Sequence, residues 1–199
     1  MSKIFVAATV LVTTLSGCGE SERLRYYSGD YELVHLIQKK QQEKVSVEEI
    51  ISLDCEHCYK FVVNVNHELL KQYGERLEIQ PIPLVFNKQT QFPVRLFIVS
   101  QKSGKEKDVL EYMLKKRFVE NKNIFDENVV LDIASNFGLK EQYQADKDSE
   151  WVEKIYQDNR SKGMQYGISQ TPTLIIEKQI KVTNINVDNV KGIIDDLLK

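Results

Sequence analysis

Apolar and polar positions alternate with period two along residues 45–54. Val45, Val47, Ile51 and Leu53 share one row, interrupted by Glu49, while Ser46, Glu48, Ser52 and Asp54 form the other row with Ile50. That pattern predicts a strand. From Cys58 onward the period lengthens: Phe61, Val62, Val65, Leu69 and Tyr73 recur at helical spacing, and Gly74 supplies a stop. Upstream, Tyr31, Val34 and Ile37 predict a first short strand over 31–37. Residues 77–86 predict another, in which Pro81 and Pro83 require positions that tolerate missing donors.

Over residues 90–166 the strand signal disappears. Stripes at Phe92, Leu96, Phe97 and Val99, at Leu110, Met113, Leu114 and Phe118, at Val129, Ile133 and Phe137, and from Trp151 through Ile155 predict four helices. Pro93 fits only a first turn, Asp126 is a cap and Gly138 a stop. Such stripes are core far more often than cofactor sites. Strands return at 173–176 and 180–183, and Val190, Ile193, Ile194, Leu197 and Leu198 line a final helix. Strand, helix and strand, then a helical block, then a hairpin and helix describe one α/β domain interrupted by an insertion.

The chemistry sits where the first pattern hands over to the second, at Cys55-Glu56-His57-Cys58. Cys58 falls on the apolar face of the helix, whereas Cys55 lies one turn earlier at its open N-terminus. Unpaired N–H groups and the positive end of the helix favour a thiolate at Cys55, and His57, when protonated, adds to this. An exposed, ionisable thiol beside a sheltered one is what thiol–disulfide exchange requires. Structural zinc would need four ligands. The only other cysteine is Cys18, and His35 and His67 form no second cluster. Glu49 has two readings: an acid near a wet edge, or a buried acid of raised pKa that handles the proton of Cys58.

Composition changes this picture little. The chain has 199 residues, 42% hydrophobic and 28% charged, with a formal charge of −2, which implies no polyanion-binding surface and so no nucleic-acid partner. The first residues change it more. Lys3 precedes an apolar run over 4–15, too short to span a bilayer, that ends in Leu15-Ser16-Gly17-Cys18. This resembles a bacterial lipobox, which implies cleavage after Gly17 and diacylglycerol on Cys18; an ordinary signal peptide with a stray cysteine is the alternative. Lipidation would remove the odd thiol. Removing Lys3 with residues 1–17 leaves 26 basic and 29 acidic residues, a charge of −3. Residues 18–30 then form a polar tether too short for a dimerisation domain.

The second half of the site lies at Gly167-Ile168-Ser169-Gln170-Thr171-Pro172-Thr173, just before the returning strand. A Cys-x-x-Cys at a strand-to-helix junction, followed by a late x-Pro before a hairpin, resembles the thioredoxin fold. The helical insertion and the histidine before Cys58 make the chain similar to the DsbA family of periplasmic thiol–disulfide oxidoreductases. That resemblance implies an α/β thioredoxin fold over residues 31–86 and 167–199, with an all-helical insertion at 87–166. It further implies that Cys55 attacks, that Cys58 resolves, that Pro172 is a cis-proline, and that Thr171 and Pro172 meet an extended client peptide. Glu49 matches the family's buried acid, six positions before the first cysteine.

Two positions depart from the family pattern. Glu56 stands where proline is usual and opposes ionisation of Cys55, so the pair should be less oxidising. The lysine that commonly faces the buried acid is missing from residues 77–86, where Gln80 is the nearest equivalent; Glu49 should therefore tend to be protonated. The expected function is an oxidase that introduces disulfides into exported proteins. Its expected partners are reduced clients, a membrane reoxidising partner of the DsbB type and, through Cys18, a membrane of the cell envelope. It is expected to act as a monomer, with no metal or other cofactor. A reductase or isomerase is the alternative within the class. A lipoprotein that binds a partner or copper(I) through Cys55, His57 and Cys58 is the alternative outside it.

Overall fold

Burial on both faces sets the central strand. The computed structural model describes residues 27–34, 42–86 and 89–199. The short β1 (Tyr31–Leu33) is followed by β2 (Val45–Ser52), which pairs parallel with β3 (Leu77–Leu84) on one side and antiparallel with β4 (Thr173–Ile176) on the other. β5 (Ile180–Val182) joins β4 to β1, giving the order β1-β5-β4-β2-β3. β3 is thus an edge strand, which accommodates Pro81 and Pro83.

Between β2 and β3 the chain is helical: α1 (Glu56–Lys60), a π-helical turn over Phe61–Asn66, and α2 (His67–Tyr73), which ends at Gly74 with φ of 56°. The α-helical periodicity read from Cys58 is therefore interrupted. The wider π turn rotates the residues after it, so Asn66 is buried while Val65 is only half-buried.

The helical block holds five helices where the sequence pattern gave four. They are α3 (Phe92–Gln101), α4 (Glu106–Phe118), α5 (Glu127–Asn136), α6 (Lys140–Asp146) and α7 (Glu150–Gln165). The unforeseen α6 is short and mostly polar, anchored by the fully buried Tyr143. Pro93 sits in the first turn of α3, and the Asp126 side chain accepts from the Asn128 amide to cap α5. The chain closes with α8 (Val187–Leu197), capped by Asn186.

Three apolar clusters hold these parts together. One joins Ile51, Leu53, Cys58 and Val62 to Phe97, Leu110, Met113 and Ile133, so the redox helix rests on the inserted block. A second packs Val45, Val47, Leu69 and Leu174 against Ile193 and Ile194 of α8. On the opposite face of the sheet, Ile50, Ile82 and Ile175 pack against Tyr166. There Glu48, in the row read as polar, is buried and accepts hydrogen bonds from Lys162 Nζ (2.5 Å) and Tyr166 Oη (2.7 Å). The end of α7 thereby closes that face. Among the described residues no helix is long and apolar enough to cross a membrane.

Candidate functional site

The turn after β2 aims both cysteines. Cys55 is the N-cap of α1, with extended backbone, and the Cys58 amide donates to its Sγ over 3.2 Å. Cys58 is fully buried, while Cys55 is partly exposed and lines a cavity of about 300 Å³ with Asp54, Phe86, Gln89, Gln170 and Thr171. Both cysteines are free thiols here. Burial first, then the hydrogen bond with Cys55, pushes the Cys58 thiol well above its ordinary range.

The loop before β4 meets this turn. The Cys55 thiol donates to the carbonyl oxygen of Thr171 over 3.4 Å, and the Thr171–Pro172 peptide bond is cis. Thr173 Oγ1 bonds the Gln170 carbonyl (2.8 Å), and Lys181 Nζ bonds the carbonyls of Tyr166 and Gly167 (3.4 and 3.3 Å), which fixes the loop from both ends. The fold thus brings Cys55, Cys58, Thr171 and Pro172 together.

The charged neighbours divide differently. Glu56 is exposed and forms an ion pair with Lys60, one helical turn on, at 2.7 Å. That hydrogen bond and charge hold the Glu56 carboxyl below its usual range. Lys60 thus partly offsets the charge that Glu56 sets beside Cys55. The Glu56-x-x-x-Lys60 spacing was the available signal. A second acid, Asp54, precedes Cys55 and is held by Arg117 of α4 (2.6 Å) and by Gln89 Nε2 (2.7 Å). Neither residue was singled out from sequence, because the Arg117 contact crosses 63 positions. His57 is exposed. Among the described residues no group of three or more His, Cys, Asp or Glu side chains is arranged to hold a metal ion.

Glu49 is fully buried, opposite Pro81 on β3 and Leu174 on β4. Its Oε2 accepts from Asn66 Nδ2 at 2.7 Å. Burial pushes its pKa up from 4.5 to about 7, against a smaller opposing pull from Asn66. Gln80 is not its partner: it lies opposite Glu48, exposed. The side chain facing the acid is Asn66. Cys18 lies outside the described residues, as do the expected signal segment and most of the expected tether.

A family model for the DSBA-like thioredoxin domain matches residues 46–195. Similar solved structures include the oxidoreductase DsbA from Xylella fastidiosa, at 19% identity and a TM-score of 0.67, covering 85% of this chain and 93% of that one. NmDsbA1 from N. meningitidis matches at 18% identity and 0.66, covering 85% and 90%. The DsbA disulfide interchange protein from Klebsiella pneumoniae matches at 14% and 0.65, covering 87% and 96%. At these identities the likeness is one of fold. No curated protein matches the chain.

Proposed function

The chain belongs to the DSBA-like thioredoxin domain family, and on that premise we propose that it is a thiol–disulfide oxidoreductase working as an oxidase of exported proteins. The observation that carries this reading is the asymmetry of the pair. Cys55 opens onto a cavity beside the Thr171 carbonyl, and Cys58 is buried beneath it.

In the oxidised protein a client thiolate attacks Cys55 Sγ. The Cys55–Cys58 bond breaks, and its electron pair leaves on Cys58. The client is now joined to Cys55. A second client thiolate attacks the client sulfur of that mixed disulfide, forming the client disulfide and releasing Cys55. Two electrons and two protons have passed to the protein, and a membrane oxidant of the DsbB type would remove them. The buried Pro172 follows Thr171, which lines the cavity where an extended client segment would lie. An apolar cleft of about 220 Å³, lined by Leu84, Phe86, Met164 and Ile168, continues from it through Phe86. Glu49 supplies the proton that the newly formed Cys58 thiolate takes up, with water as the carrier. The lipid on Cys18 and an exported, periplasmic location complete the proposal, since disulfide exchange suits an oxidising compartment.

The test is oxidative folding of a reduced model protein, with excess glutathione disulfide as terminal oxidant. Wild type should speed formation of the client's disulfides, and Cys55→Ser should remove the acceleration. Equal rates with wild type and Cys55→Ser would refute the oxidase reading.

A further inference from the structure

Among the described residues, two buried oxygens lack a hydrogen-bond partner on two side chains already bonded to each other. Asn66 Nδ2 donates to Glu49 Oε2 at 2.7 Å, while Glu49 Oε1 and Asn66 Oδ1 are both buried and unpaired. Both are acceptors. A buried acceptor left without a donor keeps its full desolvation cost. A carboxyl and a primary amide each present two polar atoms side by side in one plane, so a single proton on Oε1 can satisfy both.

We propose that Glu49 and Asn66 form an acid–amide pair that stores one proton: Asn66 Nδ2 donates to Oε2, and the carboxyl proton on Oε1 is donated to Asn66 Oδ1. Asn66 is then a positioning residue for the proton of the thiol–disulfide reaction. The idea rests on the reading of Glu49 as the proton donor to Cys58.

The surroundings suit a neutral pair. β3 and β4 set Pro81 and Leu174 beside Glu49, and Pro81 has no N–H to offer. A cation in the place of Asn66 would hold the carboxylate form, whereas an amide can donate to one oxygen and accept from the other. The π turn delivers Asn66 to this position, at the junction of Phe61–Asn66 with α2. The titratable groups nearby are Cys58 on the same helical run, His67 next to Asn66, and Lys107 and Glu111 of α4. The last three line, with Asn66, a small cavity of about 40 Å³, and His67 Nε2 bonds Glu111 at 2.7 Å. That cavity has room for water and reaches Asn66, while Glu49 stays behind it, fully buried.

The proton balance is closed. When client attack releases the Cys58 thiolate, Oε1 gives up its proton and Cys58 becomes a thiol. Glu49 is left as a carboxylate still bonded by Asn66 Nδ2, and it recovers a proton from bulk water. In the reverse direction Cys58 returns its proton to Glu49 before it attacks Cys55.

Infrared spectroscopy of the full chain at pH 6 tests the pair. The C=O stretch of protonated Glu49 is assigned by its loss in Glu49→Gln. In wild type it should lie at the low frequency of a carboxyl that both donates and accepts, and in Asn66→Leu it should move up. A wild-type band at the frequency of an unbonded carboxyl would overturn the pair, without need of any variant at position 66; so would a band that Asn66→Leu leaves in place. The pH profile of Cys58 reactivity in Glu49→Gln separates the two claims. If it matches wild type while the low-frequency band is present, the pair stands and the proton-donor reading of Glu49 falls.

Discussion

The Cys55 thiol and the Thr171 carbonyl oxygen lie 3.4 Å apart across 116 residues of chain. This contact joins the turn after β2 to the loop before β4 and leaves one face of Cys55 open to the cavity. Cys58 has no such opening. Client attack is therefore directed to Cys55. Cys58→Ser incubated with a disulfide-bonded client should accumulate mixed disulfides, formed when the Cys55 thiolate attacks the client bond and one client sulfur leaves as thiolate, visible as thiol-sensitive adducts on non-reducing gels. Cys55→Ser should give none. Adducts of equal yield from both variants would mean that Cys58 is reachable.

The Glu49 carboxyl gives a signed prediction for stability. Its folded pKa is raised to about 7 from 4.5, so between these values the folded state binds more protons than the unfolded one. Stability is full below about pH 4.5 and falls as pH rises through about 7. The loss from this group is on the order of 3 kcal/mol. Urea unfolding across pH 4.5–8 should show the decline in wild type and lose this contribution in Glu49→Gln, whose amide can pair with Asn66 at every pH. An equal decline in Glu49→Gln would assign it to other groups.

Glu56 and Lys60 should tune the redox pair in opposite senses. Lys60→Gln uncovers the Glu56 charge near the reduced Cys55 and should make the potential more negative. Glu56→Gln should make it less negative. Both side chains are largely exposed, so each shift should stay below about 30 mV, a tenfold change in equilibrium constant, and shrink with salt. If neither substitution moves the potential at low ionic strength, the helix end outweighs this ion pair.

Much of this arrangement was legible because its signals are local. The change from period two to helical period located Cys55, and the caps at Gly74, Asp126 and Gly138 marked real element ends. The missing parts depend on contacts distant in sequence or on helix geometry. A reading at α-helical period gives no cue to the π turn that buries Asn66, and residues 77–86 offer only Gln80 as a partner for Glu49. Glu48 read as polar because the helix that covers it, α7, arrives over a hundred residues later. The short α6 buries little beyond Tyr143 and left no stripe.

That buried contact should also matter for the site. Lys162→Met would leave the Glu48 carboxylate with Tyr166 as its remaining partner. Because Lys162 is one-third exposed, the destabilisation should be about 1–3 kcal/mol rather than the larger cost of a fully buried pair. Tyr166 also leads into the loop that carries Thr171, so oxidation rates should fall with the stability. Thermal unfolding and client oxidation measured on the same samples check this; full stability in Lys162→Met would make the ion pair neutral.

The equilibrium reduction potential of the Cys55–Cys58 pair, titrated against glutathione, tests the central claim most directly. An oxidase requires a two-electron transition that vanishes in Cys55→Ser and a potential less negative than about −220 mV, so that reduced protein is favoured when clients and glutathione compete. A value at or below about −270 mV, the range of a dedicated reductase, would contradict it.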